Sequence, residues 1–177
     1  RTGTEWGGVT KTGGRVDLSY DVSEKGGIYG NAGFHAYDGE NVESNTSLEL
    51  GAGFYRKVRE TQNSRVTAGV NLTSFFFDKN LRRFTLGHGG YFSPQSYVSI
   101  GVPVEWTGRH GATAFRVGGS LGWQTFREDS APFFPNDSAL QAASGGQYGS
   151  QRVSGVGVQA RADLEHQLTP HVSVGAS

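Results

Sequence analysis

Three ionisable side chains near the end of the sequence have a spacing that could support acid–base chemistry. Arg161, Asp163 and Glu165 occupy alternate positions of one extended stretch and so share a face, which also carries Gln159. A pair of carboxyl groups on either side of a sugar bond is the machinery of glycoside hydrolysis, and Glu49 is a further carboxylate that could pair with either across strands. A ladder of opposite charges between neighbouring strands produces the same pattern. The spacing favours this second, structural interpretation.

A second motif, Gly118–Gly122, matches the G-x-S-x-G pattern of a serine nucleophile. That chemistry needs a sharp strand-to-helix turn, whereas alternating residues continue on both sides of this segment, which favours glycines packed under crowded side chains. The histidines lack the i, i+4 or H-x-H spacing of a zinc site; they are His35, His88, His110, His166 and His171. We therefore expect no catalytic residue, no metal and no cofactor.

Composition excludes several classes of protein. Among the 177 residues, 16 basic and 16 acidic side chains cancel without forming a basic stripe, so we expect no nucleic-acid partner. The 28 glycines lack a collagen period, and the absence of cysteine excludes disulfides and thiolate metal sites. No apolar run approaches the roughly 18 residues of a spanning helix. The polar start at Arg1 and the interrupted alternation at Ser177 lead us to expect a fragment of a longer protein.

Alternation of apolar and polar residues with a period of two continues through most of the sequence and predicts an all-β fold. Helical periodicity is almost absent. The predicted strands are Arg15–Val22, Ile28–Tyr37, Thr46–Lys57, Arg65–Phe76, Val98–Trp106, Thr113–Arg127 and Val153–Gln167, with an eighth that begins at Val172.

Strand and loop lengths favour a membrane barrel over a soluble sandwich. Several predicted strands have about 10 to 15 residues, whereas globular strands have about 5 or 6 and a tilted membrane strand needs about 9–11. Short and long connections alternate, as they do in outer-membrane barrels. The longer connections are Asp38–Asn45, Asp78–Ser96 and Glu128–Arg152. Any antiparallel sheet with one wet face alternates similarly, so a soluble sheet stays an alternative.

The polar face of the predicted strands combines glycines, charges, amides and tyrosines, which suits a water-filled lumen. Aromatic rings together with hydroxyl and amide groups also suit a sugar polymer, because they offer apolar faces and hydrogen bonds at once. Trp6, Trp106 and Trp123 are predicted to form the aromatic girdles typical of membrane barrels.

The segment Gly87–Trp106, GHGGYFSPQSYVSIGVPVEW, resembles the C-terminal domain of the cellulose synthase operon protein C family. A glycine-rich segment ending in YFSPQ, then a Tyr-containing strand ending in V-P-V-x-W, is typical of that family. HAYDGENVESNTSLELGAGFY at His35–Tyr55, and GGSLGWQTFRED followed by PFFP, extend the similarity to Pro135. The resemblance implies a sixteen-stranded outer-membrane barrel preceded by a periplasmic tetratricopeptide region. Residues 1–177 would then be a fragment of that single barrel domain, with about half of its strands.

The resemblance further implies a channel, not an enzyme, that exports the nascent β-1,4-glucan (cellulose) chain across the bacterial outer membrane. The implied partners are the glucan, outer-membrane lipid, the protein's own tetratricopeptide region and the inner-membrane cellulose synthase complex. The connection Asp78–Ser96 is the candidate gate. The residues expected to line or gate the path are Tyr29, Asn31, His35, Tyr37, Glu49, Tyr55, Asn71, Tyr91, Phe92, Gln95, Arg116, Gln124, Gln159, Arg161, Asp163 and Glu165.

Two other functions remain open from the sequence. An outer-membrane enzyme that modifies glycans would need Glu49 to meet Asp163 or Glu165. A soluble all-β carbohydrate-binding module would need no lipid.

Overall fold

The computed structural model describes residues 5–177, which form ten strands and one helix. They are β1 (Gly7–Ser23), β2 (Gly26–Glu40), β3 (Val42–Glu60), β4 (Ser64–Phe77), β5 (Ser96–His110), β6 (Thr113–Glu128), β7 (Ala131–Pro132), α1 (Ser138–Ser144), β8 (Gln147–Tyr148), β9 (Gln151–Thr169) and β10 (Val172–Ala176). Eight of the strands form one antiparallel sheet in the order β1-β2-β3-β4-β5-β6-β9-β10, and β7 pairs with β8. The all-β antiparallel fold that alternation predicts is confirmed.

The long strands exceed the length of ordinary globular strands. The shortest of β1–β6 and β9 has 14 residues and the longest have 19, against about 5 or 6 in a typical domain. β1 begins earlier than predicted, at Gly7 and not at Arg15. Its first residues, GGVTK, alternate too weakly to be recognised without the neighbouring strand β2, with which they pair.

The register separates two faces of the sheet. One row of directly paired residues runs through Leu18, Gly30, Ala52, Leu72, Ile100, Trp123 and Val156. The adjacent row runs through Asp17, Asn31, Gly51, Thr73, Ser99, Gln124 and Gly155. We call these the apolar face and the polar face. Large side chains of the apolar face are exposed, with Leu18 at 71% and Val156 at 72%, and an apolar surface of this extent marks an interaction surface.

Connections at the two ends of the sheet differ. At one end, the turn end, the connections are Glu24–Lys25, Thr61–Asn63, Gly111–Ala112 and Pro170–His171. At the other, the loop end, they are Asn41, Asp78–Gln95 and Asp129–Ser150. We call Asp78–Gln95 the first loop and Asp129–Ser150 the second loop.

The predicted long connection Asp38–Asn45 is wrong. β2 continues to Glu40 and β3 begins at Val42, so Asn41 alone joins them. Asn41 has a φ of 51°, in the left-handed region that asparagine tolerates better than most residues. A register shift between Tyr37 and Gly39 breaks the alternation there, which is why the sequence suggested a loop.

The second loop contains regular structure that the sequence interpretation missed. The side chain of Asp137 accepts hydrogen bonds from the backbone amides of Ala139 and Leu140, at 3.0 and 2.9 Å, and so caps the first turn of α1. Gly145, at a φ of 64°, ends the helix. No helix within residues 5–177 is both long and apolar enough to cross a membrane.

Buried side chains lie almost entirely at the loop end. The buried apolar residues are Val42, Leu81 and Ala131, and the buried polar ones are Asn45, Ser47, Asn80, His88, Ser93 and Glu128. Along the rest of the sheet, side chains of both faces are exposed or half-buried. Within the described residues the sheet is open, because β1 and β10 each pair with one strand only.

Candidate functional site

The polar face carries every predicted path residue that lies on a strand. Pairing places Asn31, Glu49, Asn71, Gln124 and Gln159 in rows of that face. The rest of this group stand at alternate positions of the same strands; they are Tyr29, His35, Tyr37, Tyr55, Arg116, Arg161, Asp163 and Glu165. Their contact with a substrate stays a prediction.

Large polar-face side chains in the middle of the sheet lie flat against it, because glycines occupy the paired positions. Tyr29 covers Gly53, and a Cβ on Gly53 would overlap the tyrosine ring. Asn31 covers Gly51, and Asn71 covers Gly101, each within 2.5 Å of where a Cβ would stand. Glycine opposite a larger residue therefore keeps the surface of the polar face low and continuous.

Charged groups of the polar face neutralise one another across strands. Lys11 Nζ lies 3.0 Å from Glu49 Oε1, and His35 Nδ1 lies 3.6 Å from the same oxygen. Nearer the turn end, Arg161 reaches across its paired residue Gly118 to bind Glu105. Arg161 thus takes part in the cross-strand charge ladder that its spacing favours, whereas within residues 5–177 neither Asp163 nor Glu165 has an ion pair within 4.0 Å.

The carboxylates that an enzyme would need are not on adjacent strands. Glu49 lies on β3, whereas Asp163 and Glu165 lie on β9, with β4, β5 and β6 between them. Asp163 lies opposite Arg116 in the strand register, and Arg116 Nε contacts Glu105 Oε2 at 3.7 Å. Ser120 of the G-x-S-x-G motif lies inside β6, without the strand-to-helix turn that exposes a nucleophile.

Aromatic residues cluster on the polar face at the loop end, where the first loop folds over the sheet. The Tyr91 ring stacks on Tyr37, with centroids 5.1 Å apart and planes 16° from parallel, and also contacts Phe77. Phe92 packs edge-on against Phe75, Tyr97 and Phe126, with centroids 6.1, 6.4 and 5.0 Å away. We call these seven residues the aromatic cluster.

Sequence reasoning found only part of this cluster. It identified Tyr37, Tyr91 and Phe92 but missed the other rings, which are Phe75, Phe77, Tyr97 and Phe126. Strand parity could have found them, since Phe75 and Phe77 share the polar face with Asn71. The run of three phenylalanines concealed this, because it also places Phe76 on the apolar face.

The first loop has a small core of its own. The backbone amide of Leu81 donates to Ser93 Oγ at 2.8 Å, and the Leu81 carbonyl accepts from the amides of Gly89 and Gly90 at 3.1 and 3.0 Å. Leu81 is only 2% exposed, and Ser93 is fully buried. Gly90, at a φ of 70°, adopts a conformation that side chains disfavour.

The second loop and the adjoining ends of β6 and β9 brace the first loop through side chains and backbone. Arg82 Nη1 binds both carboxylate oxygens of Glu128, at 3.2 and 3.0 Å, and Gln151 also donates to that buried carboxylate. Thr85 Oγ1 donates to the carbonyl of Phe133 at 2.7 Å. His88 Nε2 lies 2.8 Å from the carbonyl oxygen of Pro132. Burial lowers the pKa of His88 below its ordinary value of 6.5.

The three predicted gating residues have different environments. Phe92 remains 40% exposed. The Tyr91 hydroxyl accepts from Asn45 Nδ2 at 3.2 Å, and burial raises the pKa of Tyr91. The Gln95 amide is occupied within the protein, because Nε2 donates to the Ser93 carbonyl and Oε1 accepts from the Asp129 amide.

The interpretation of Trp6 as part of a membrane girdle stays a prediction. Its indole nitrogen donates to the carbonyl oxygen of His88 at 2.7 Å, which joins the chain before β1 to the first loop. Trp106 and Trp123 do lie on the apolar face, near opposite ends of their strands.

Comparisons with known proteins agree on one family. The family model described as "Cellulose synthase operon protein C C-terminus" matches residues 1–177. Cellulose synthase operon protein C of Pseudomonas fluorescens (strain SBW25) is 41% identical over 174 residues, which is 98% of this chain and 14% of that protein. The Xanthomonas axonopodis pv. citri relative of the same name is 47% identical over 146 residues, 81% of this chain and 10% of its own length. The Escherichia coli (strain K12) relative is 36% identical over 186 residues, 99% of this chain and 16% of its own length.

Proposed function

This chain belongs to the cellulose synthase operon protein C C-terminus family, and we propose that it forms part of the wall of an outer-membrane channel that exports a β-1,4-glucan chain. The apolar face contacts lipid and the polar face lines the lumen. The chain spans only about a sixth or less of the length of its relatives, so the rest of the protein supplies the remaining strands of the barrel and the periplasmic region.

The observation that carries this proposal is the middle of the polar face. There, Tyr29, Asn31 and Asn71 lie over glycines, and the row that begins with Asp17 on β1 carries no further charge from Asn31 to Gln124. Such groups exchange hydrogen bonds with sugar hydroxyls at little net free-energy cost, because each bond replaces one to water. Repeated weak contacts allow a polymer to slide without being held.

The channel needs no catalysis under this proposal. Synthesis at the inner membrane pushes the glucan, and the inner-membrane synthase complex and the periplasmic region of the same protein are the partners that deliver it. The edges β1 and β10 expose backbone groups that lipid cannot satisfy. In the proposed barrel, further strands of the protein pair with both edges, and the sixteen strands that the family resemblance implies would make it about twice this size.

The first loop forms the constriction of this channel. Its Tyr91 and Phe92 pack on the polar face, so the loop covers the lumen side of the wall and not the lipid side. Phe92 is the exposed ring at this position and is the group that meets the polymer. Longer loops of outer-membrane barrels lie outside the cell, which orients the loop end outward.

Cysteine labelling tests the channel, and the 177 residues contain no cysteine. Ser99 and Ile100 are neighbours on β5 that lie on opposite faces. In the full-length protein in membranes, free of other cysteines, a water-soluble maleimide should label Ser99→Cys and not Ile100→Cys. Active glucan synthesis should slow labelling of Ser99→Cys severalfold. Equal labelling of both variants would contradict a membrane wall, and labelling unaffected by synthesis would contradict the glucan path.

A further inference from the structure

Two arginines face each other across neighbouring strands at the loop end of the apolar face. Arg127 of β6 and Arg152 of β9 are directly paired in the register, and both are exposed. They share the apolar face because Trp123 and Thr125 precede Arg127 at alternate positions. Like charges directly opposite one another destabilise a sheet. This pair therefore has an unfavourable interaction that an anion between the two side chains would remove.

We infer that Arg127 and Arg152 bind the phosphate group of a lipid in the outer leaflet of the membrane. The inference rests on the proposed function, in which the apolar face lies in lipid with the loop end outward. Arginine suits this ligand, because its planar guanidinium binds phosphate oxygens with two hydrogen bonds.

The residues below the arginine pair change in the order of the layers of a membrane. The next cross-strand pair, Thr125 and Ser154, joins its hydroxyl groups at 2.8 Å. Trp123 follows, and Leu121 with Val158 follows in turn on the same face. Each step is about 7 Å along a strand. From the loop end inward, the charged groups thus lie at the level of the headgroups. The hydroxyl and indole groups lie at the interface, and the aliphatic groups lie in the hydrocarbon.

The carboxylates nearby leave the patch positive. Asp129 Oδ1 lies 3.3 Å from Arg127 Nε, and both side chains are about half exposed. This contact occupies one edge of the guanidinium, and an exposed ion pair of this kind is weak. Within residues 5–177, no carboxylate lies within 4.0 Å of Arg152. The nearby Glu128 points to the polar face, where it forms an ion pair with Arg82.

Another arginine of the apolar face provides a matched control. Arg56 lies on β3 near the turn end, and its direct partners are Gly26 and Ala68. Arg56 therefore has the same charge and the same face as the pair but no second arginine opposite it. A general attraction between basic residues and lipid would involve Arg56 equally.

The test measures binding of lipid A, a phosphorylated glycolipid, to the full-length protein in detergent. Arg127→Gln/Arg152→Gln should raise the apparent Kd for diphosphorylated lipid A at least tenfold, whereas Arg56→Gln should leave it within twofold. Removal of both phosphates from lipid A should weaken its binding to the unaltered protein by a similar factor. Arg127→Lys/Arg152→Lys should give an apparent Kd between those of the unaltered protein and the double glutamine variant, since lysine keeps the charge but loses the paired hydrogen bonds.

Several results would overturn the inference. These are unchanged binding by the double glutamine variant, equal binding of dephosphorylated lipid A, or an equal loss in Arg56→Gln. Competition by millimolar inorganic phosphate would assign the site to free anions in water and not to a lipid headgroup. Heat-dependent gel mobility checks that each variant is folded, and Arg152→Gln alone serves if the double variant is not.

Glucan secretion by the same variants separates this inference from the proposed function. Weakened lipid binding together with normal secretion supports a lipid site that is separate from the glucan path. Normal lipid binding by the double glutamine variant, with secretion and the maleimide pattern intact, removes only the lipid site.

Discussion

The strand wall and the loop end are stabilised in different ways. The wall exposes its large apolar side chains, such as Val16 at 61% and Val158 at 76%, and has no interior of its own. The loop end buries Leu81, His88 and Ser93 and is joined by hydrogen bonds within the first loop and between the two long loops. The wall therefore depends on its surroundings for stability, whereas the loop end depends on its own packing.

This difference predicts how mutations in the two regions affect the protein. A side chain lost from the wall alters contact with the surroundings, which are lipid on the apolar face under the proposed function, and the backbone ladder remains. A side chain lost from the loop end leaves a cavity or an unpaired polar group. We therefore expect the loops to open locally while the sheet stays folded.

The largest expected effect comes from Leu81→Ala. Truncation of a fully buried leucine costs about 3 kcal/mol, because it removes apolar contact and leaves a cavity. Hydrogen exchange of the Gly89 and Gly90 amides, which donate to the Leu81 carbonyl, should accelerate by about a hundredfold or more, while heat-dependent gel mobility is retained.

Leu121→Ala is the matched control for Leu81→Ala, since Leu121 is 59% exposed on the apolar face. It should leave exchange in the first loop unchanged. If it accelerates exchange as much as Leu81→Ala does, the wall and the loop end are one cooperative unit and the contrast between them is wrong.

A smaller effect is expected for Phe92→Ala. Phe92 contributes edge-on contacts worth about 0.5–1.5 kcal/mol each when fully buried, and its 40% exposure reduces both these contacts and the loss of burial. If the first loop is the constriction, ion conductance of the full-length protein in planar bilayers should rise. Phe84→Ala removes a ring that is 80% exposed and should change neither loop stability nor conductance. Unchanged conductance in Phe92→Ala would remove Phe92 from the constriction.

The smallest effect is a pH dependence of the loop end. His88 is neutral when buried, and its folded pKa lies below the ordinary value of 6.5. The unfolded loop thus binds more protons as the pH falls, so stability is complete above about pH 6.5 and decreases below it. Arg83 disfavours protonation further.

Hydrogen exchange of the first loop, corrected for intrinsic rates, should accordingly report opening that increases from pH 7 to pH 5. His88→Gln should abolish that slope although it also loosens the loop at pH 7. A slope that persists in His88→Gln would assign the titration to another group.

Much of the wall could be predicted because strand faces follow from local alternation. Asn31, Asn71 and Gln124 were assigned to the polar face from parity alone, and the register agrees. The turn at Asn41 could not be predicted, because a register shift interrupts the period of two there. Helix α1 had usable signals in Asp137 and Gly145, but seven residues are too few to show a helical period.

The candidate site was less predictable than the wall. The sequence identified Phe92 as part of a glycine-rich aromatic segment, but its partners Phe75, Tyr97 and Phe126 come from three different strands. Likewise, nothing local to Glu128 indicates that Arg82 and Gln151 bind it. Contacts between residues far apart in the chain leave no periodic signal.

The sequence by itself determined the family, the antiparallel sheet and the two chemically distinct faces, because alternation with a period of two is a property of the extended backbone. Tertiary structure alone decided that the first loop folds over the polar face, that glycines lie beneath Tyr29 and Asn71, and that Arg127 meets Arg152. Those features depend on the register between strands, and register is set only when the strands pair.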